Sequence, residues 1–98
     1  MIIVGGTFEV EPDQREEFLA SRHDGMRRSR AEPGCLEYTL SADPLDPGRV
    51  MLFERWENQE SLDAHLSALR SGAQSAPGIA PKSASVTLYD VSGERSLG

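Results

Sequence analysis

Cys35-Leu-Glu-Tyr-Thr-Leu-Ser-Ala42 and Arg49-Val-Met-Leu-Phe-Glu-Arg-Trp56, joined by Asp43-Pro-Leu-Asp-Pro-Gly48, decide the fold. Each flank alternates in the period of two that a half-buried strand requires. The linker is dense in proline, aspartate and glycine, the residues that close a turn. Two strands this close in sequence form an antiparallel hairpin. Alternation places Leu36, Tyr38 and Leu40 on one face of the first strand, and Cys35, Glu37 and Thr39 on the other. On the second strand Leu52, Glu54 and Trp56 share a face, opposite Met51, Phe53 and Arg55.

Upstream of the hairpin, Ile2, Val4, Phe8 and Val10 alternate in a first strand interrupted by Gly5-Gly6. The glycine pair reads first as a bulge, and second as a place where something else comes close. Pro12 suits the first turn of a helix. Acids follow it (Asp13, Glu16, Glu17) and Arg27, Arg28 and Arg30 close it, which complements the helix dipole at both ends. Phe18, Leu19, Arg22 and Met26 form its inner stripe, Gly25 weakens its middle, and Pro33-Gly34 ends it. Downstream, Asn58 caps a second helix whose Leu62, His65, Leu66 and Leu69 keep the spacing of an inward face. The small-residue stretch 71–81 reads as a loop, and as a lid if the protein is an enzyme. Ser83 to Val91 alternates again as a fourth strand, and 92–98 reads as a frayed tail.

The order is therefore β-α-β-β-α-β, an α+β, ferredoxin-like antiparallel sheet in one domain spanning 1–98. The strands carry apolar residues on both faces, and two helices cover only one. The uncovered face predicts a homodimer packed sheet to sheet. A chain of 98 residues has one modest core, which association would reinforce.

The formal charge of -6 at pH 7 argues against nucleic acid or an anionic membrane as partner. No apolar run approaches the roughly 20 residues of a membrane span, and no signal peptide is expected at the N-terminus. A single cysteine, Cys35, permits no intrachain disulfide and suits the reducing cytoplasm. Cys35 itself reads as a small buried hydrophobe. Signatures for structural zinc, zinc proteases, serine nucleophiles and phosphate loops are absent, and two histidines cannot build a His-rich metal site. No metal and no cofactor is expected.

Glu32-Pro-Gly-Cys35, Tyr38, Phe53-Glu-Arg-Trp56 and Leu62-Asp-Ala-His65-Leu66, in this order and spacing, resemble the antibiotic biosynthesis monooxygenase family over about residues 1 to 91. The resemblance implies a small dimeric α+β barrel with a pocket between helices and sheet in each subunit. It implies oxygenation of phenols, anthrones or hydroquinones by molecular oxygen without flavin or metal. Two departures stand out. Many members have a second histidine shortly after the first, where this chain has Arg70. The haem-degrading branch uses an asparagine on the first strand and a histidine after the second helix. This chain offers Gly5, Gly6 and Thr7 on the strand and no histidine beyond His65, which disfavours haem degradation.

Such chemistry needs a base near neutrality, an apolar pocket, and a group that stabilises an oxyanion. His65 is the candidate base. It reads equally as a buried histidine satisfied by a carbonyl or by Glu54. Arg22 is the candidate for stabilising the anion, with an internal ion pair to Glu54 as the structural alternative. Trp56, Tyr38 and Phe53 are candidates for the substrate-binding wall, or else core and dimer packing. Arg70 is a candidate for the pocket mouth, or else a solvated helix end. The competing reading of the whole is a non-catalytic dimeric module that binds an aromatic or lipophilic small molecule.

Overall fold

The computed structural model describes residues 1–72 and 78–98. Its strands are β1 (Ile2–Glu9), β2 (Cys35–Ala42), β3 (Arg49–Trp56) and β4 (Ser83–Asp90). Its helices are α1 (Arg15–Ser21), α2 (His23–Arg30) and α3 (Gln59–Arg70), with one 3-10 turn at Pro12–Gln14. All strand pairs are antiparallel, in the order β2-β3-β1-β4. This is the α+β, ferredoxin-like sheet the sequence predicts. Residues 73–77 of the proposed lid (71–81) lie outside the described residues.

The helices pack on the sheet face that carries Val4, Leu52 and Trp56. Leu62 of α3 joins Ile2, Val4, Leu52 and Trp56 in one buried cluster. Phe18 of α1 joins Val10 and Val50 in a second. Each of these large side chains contributes about 1.5–3 kcal/mol by leaving water. The hairpin loop is braced from outside the sheet: the Arg15 guanidinium donates to the carbonyls of Asp43 (2.9 Å) and Asp46 (2.7 Å).

Three sequence expectations are corrected. The first helix is broken at Arg22, whose N–H turns back to the Leu19 carbonyl at 3.1 Å. Gly5-Gly6 forms no bulge, because β1 keeps an unbroken register with both neighbours. The glycine serves close approach instead: a Cβ on Gly6 would lie 2.8 Å from Val86 Cα and closer still to the Ser85 carbonyl oxygen. The irregularity lies in β2, where the register shifts between Cys35 and Glu37. The extra residue, Leu36, turns outward (42% exposed), and Cys35 pairs with Trp56 on the inner face.

Among the described residues no helix covers the outer sheet face. Met51, Phe53 and Tyr89 are exposed on it.

Candidate functional site

Asn58 starts α3 as expected, its side-chain oxygen accepting from the Ser61 N–H at 2.8 Å. One helical turn later the inward stripe delivers Leu62 and then His65, both buried. His65 is only 1% exposed, so its ring polarity must be met inside the protein.

Glu32 meets it. The carboxylate oxygen Oε1 lies 2.7 Å from His65 Nδ1. Glu32 reaches this place through the turn that ends α2. Gly34 adopts a φ of +82°, which favours glycine, and a Cβ there would collide with the Ser61 side chain. The Gly34 carbonyl accepts from the Glu57 N–H at 2.8 Å, which ties this turn to the entrance of α3. The Pro-Gly turn and the helix cap thus hold the acid and the histidine in one geometry.

Two aromatic rings fix the imidazole from its sides. The Trp56 ring centroid lies 4.8 Å from that of His65 with the planes at 36°, and Tyr38 lies at 5.4 Å, edge-on at 62°. Trp56 is wholly buried, and its indole N–H donates to Glu54 Oε1 at 2.9 Å. Glu54 is itself buried, and burial pushes its carboxyl above the ordinary range. The Trp56 hydrogen bond and the neighbouring His65 pull it back, while Glu32 adds repulsion. The Tyr38 hydroxyl is pushed up to about 12, first by burial and then by Glu54, with a hydrogen bond to the Ser29 side chain acting against them. Tyr38 is therefore a neutral phenol at ordinary pH. The Cys35 thiol is also pushed up, by burial first and then by Glu32 and Glu54, so it is a poor nucleophile.

His65, Tyr38 and Glu54 face a cavity of about 330 Å³ whose remaining wall is apolar, with Val4, Phe8, Leu52 and Leu69 among its residues. A second recess of about 190 Å³ shares Phe8, Tyr38, Leu52 and Leu69 with it and carries Arg22. Among the described residues, no group of three or more His, Cys, Asp and Glu side chains could hold a metal ion. No described helix is long and apolar enough to cross a membrane.

The structure brings together His65 and Tyr38, with Trp56 behind His65 and outside the cavity wall. It does not place the other candidates beside them. Arg22 makes no ion pair with Glu54. Its Nη2 donates to the Ile79 carbonyl at 3.2 Å, and the guanidinium lies 4.7 Å over the Phe18 ring. Glu54 is not the hydrogen-bond partner of His65 either, since its Oε1 takes the Trp56 N–H. Phe53 is 39% exposed on the outer sheet face, as strand alternation requires once Leu52 and Glu54 point inward. Arg70 ends α3 exposed and lines no part of this cavity. Glu32 is the residue the sequence reading missed. Its only signal was its place before the Pro-Gly turn, within a motif noted as a whole.

The chain belongs to the antibiotic biosynthesis monooxygenase family, whose model matches residues 1–73. An uncharacterised protein of Synechocystis is 31% identical over 98 residues, which covers 98% of this chain and 67% of that one. The structure of Rv0793 from Mycobacterium tuberculosis, a protein named as a candidate monooxygenase, superimposes with a TM-score of 0.74 at 30% identity. That match covers 97% of this chain and 98% of the other. A candidate antibiotic biosynthesis monooxygenase from Deinococcus radiodurans shares the fold, with a TM-score of 0.77 at 20% identity over 100% of this chain and 99% of that one.

Proposed function

We propose that the chain is a cofactor-independent monooxygenase that oxidises a phenolic, anthrone or hydroquinone-type substrate with molecular oxygen. Family membership supports a monooxygenase-like role. The observation that carries the finer reading is the His65–Glu32 pair in the wall of an apolar cavity. Nδ1 is committed to Glu32, which leaves Nε2 as the nitrogen open to a molecule in the cavity. Glu32 sets the ring's orientation and tautomer, the task of an acid behind a catalytic histidine. Trp56 and Tyr38 keep the ring from turning.

In this reading His65 takes the proton of the substrate hydroxyl or of its acidic carbon. The resulting anion passes one electron to oxygen. The substrate radical and superoxide combine into a peroxide anion at carbon, which takes back the proton held by His65, and loss of water from the hydroperoxide leaves a new carbonyl. One oxygen atom enters the product, and the other leaves in water with two hydrogens from the substrate. The neutral Tyr38 hydroxyl is a hydrogen-bond donor for the developing oxyanion. The apolar wall keeps water from the intermediates. The outer sheet face, with Met51, Phe53 and Tyr89 exposed, is the surface we assign to a second copy of the chain.

The test is oxygen consumption by the metal-free protein with a panel of reduced quinones and anthrones, beside the His65→Gln variant. A general base contributes about 10²–10⁴-fold. The expected result is turnover above autoxidation that falls by that order in the variant while ligand binding persists. Equal turnover in both proteins would remove His65 from the chemistry. Binding without turnover for every panel member would favour the non-catalytic module.

A further inference from the structure

The recess beside the main cavity holds a cation that meets no counter-charge among the described residues. Arg22 sits at the break between α1 and α2, a position that aims it under the sheet. Its Nε is buried with no hydrogen-bond partner. Among the described residues its side chain donates to the Ile79 carbonyl, a neutral acceptor at 3.2 Å. Among the described residues no carboxylate lies within ion-pair distance of it, although 16 Asp and Glu residues are present in the chain. Arg15 offers a contrast within the same segment, since its guanidinium is consumed by backbone carbonyls of the hairpin loop. Half-buried charge without a counter-charge is costly, and the guanidinium fork matches a carboxylate.

The recess does not stand alone. It shares the walls Phe8, Tyr38, Leu52 and Leu69 with the cavity that His65 lines. Side by side, the two therefore present a histidine on one and an arginine on the other, with the shared apolar and aromatic side chains between. Tyr38 marks the junction, with its ring beside His65 and its hydroxyl within the field of Arg22.

We infer that the ligand is an aromatic acid, a phenol or hydroquinone that carries an anionic group such as a carboxylate on a short tail. The hydroxyl-bearing ring lies at His65, and the acid is held by Arg22. This rests on the proposed function only for the placement of the ring. Recognition of the acid is a property of the recess alone, and it is read by binding, with no turnover required.

The chain's single tryptophan, Trp56, stacks on His65 and reports occupancy of the cavity by fluorescence. The experiment measures Kd under anaerobic conditions for dihydroxyphenyl-alkanoic acids of several tail lengths and for their methyl esters. It uses the wild-type chain and Arg22→Gln. A charge-assisted contact predicts that the best acid binds about tenfold or more tighter than its ester, with the ratio falling to about twofold or less in R22Q. The ester's Kd should change little, which shows that the variant keeps its cavity. The inference is overturned if the wild type shows no preference for any acid, absence of binding by both forms included. It is equally overturned if the preference survives in R22Q. Acid-selective binding without oxygen consumption would sustain the inference and remove the monooxygenase reading.

Discussion

Removing Glu32 and His65 singly and together measures whether they act as one unit. The pair is short (2.7 Å), and its histidine side chain is 1% exposed, while the Glu32 side chain keeps 19%. Glu32→Ala strands Nδ1 without a partner inside the protein, which costs about 1–3 kcal/mol. His65→Ala removes a ring packed against Trp56 and Tyr38 and leaves space, at about 2–4 kcal/mol. A hydrogen bond to a charged group contributes about 1.5–3 kcal/mol, and the solvent contact of Glu32 points to the low end of that range. The double variant is therefore expected to lose about 1.5 kcal/mol less than the sum of the two single losses. Urea unfolding of the four proteins gives the cycle, at one fixed protein concentration because association would shift every midpoint. Losses that add to within about 0.3–0.5 kcal/mol would mean that the two side chains do not interact, and the site would lose its acid–histidine pair.

Glu54→Gln keeps an acceptor for the Trp56 N–H and removes a buried charge. The folded-state carboxyl is raised above the ordinary glutamate range, so its stabilising effect is full below that range and fades as pH rises through the folded value. The variant should match the wild type in acid and exceed it in Tm toward neutral pH; a wild type that is the more stable at neutral pH would contradict the burial argument. Tyr38 offers a second titration. In a Tyr89→Phe background its phenolate absorbance should rise near pH 12, and stability should fall by about 2–3 kcal/mol as pH climbs from 10.0 to about 12. A midpoint near 10 would mean a solvated ring. Gly6→Ala presses a methyl into the β4 backbone and should cost about 1–3 kcal/mol. Gly25→Ala meets nothing within 4 Å on α2 and should gain about 0.5–1 kcal/mol, so thermal melts shifting in the same direction for both would refute the contrast.

The hairpin, the α3 stripe and the strand order were legible because periodicity is a local property. What escaped depended on contacts between distant segments. Cys35 and Leu36 are both apolar, so alternation fits with either of them inward, and only the pairing with Arg55 and Trp56 shows that Leu36 is the extra residue. The inward position of His65 followed from its spacing with Leu62, yet its partner did not. Two acids, Glu32 and Glu54, lie on segments that flank the ring, and nothing local ranks them. The choice is made by Trp56, whose N–H occupies Glu54 Oε1, and by Gly34, whose positive φ swings Glu32 toward α3.

The same logic explains why an ion pair with Glu54 stands as the structural alternative for Arg22 in the sequence. Both point inward, and an inward acid and an inward base suggest a pair. In the fold each has a different neighbour, and the cavity and the recess beside it take opposite characters. Glu32 pairs with His65 and Glu54 lines the same cavity, while among the described residues no acid lies within ion-pair distance of Arg22. An ion pair between Arg22 and Glu54 would have filled this space with the protein's own charges. Its absence leaves a histidine on the cavity and an uncompensated guanidinium on the recess beside it, and under the proposed function that polarity would orient a ligand spanning both.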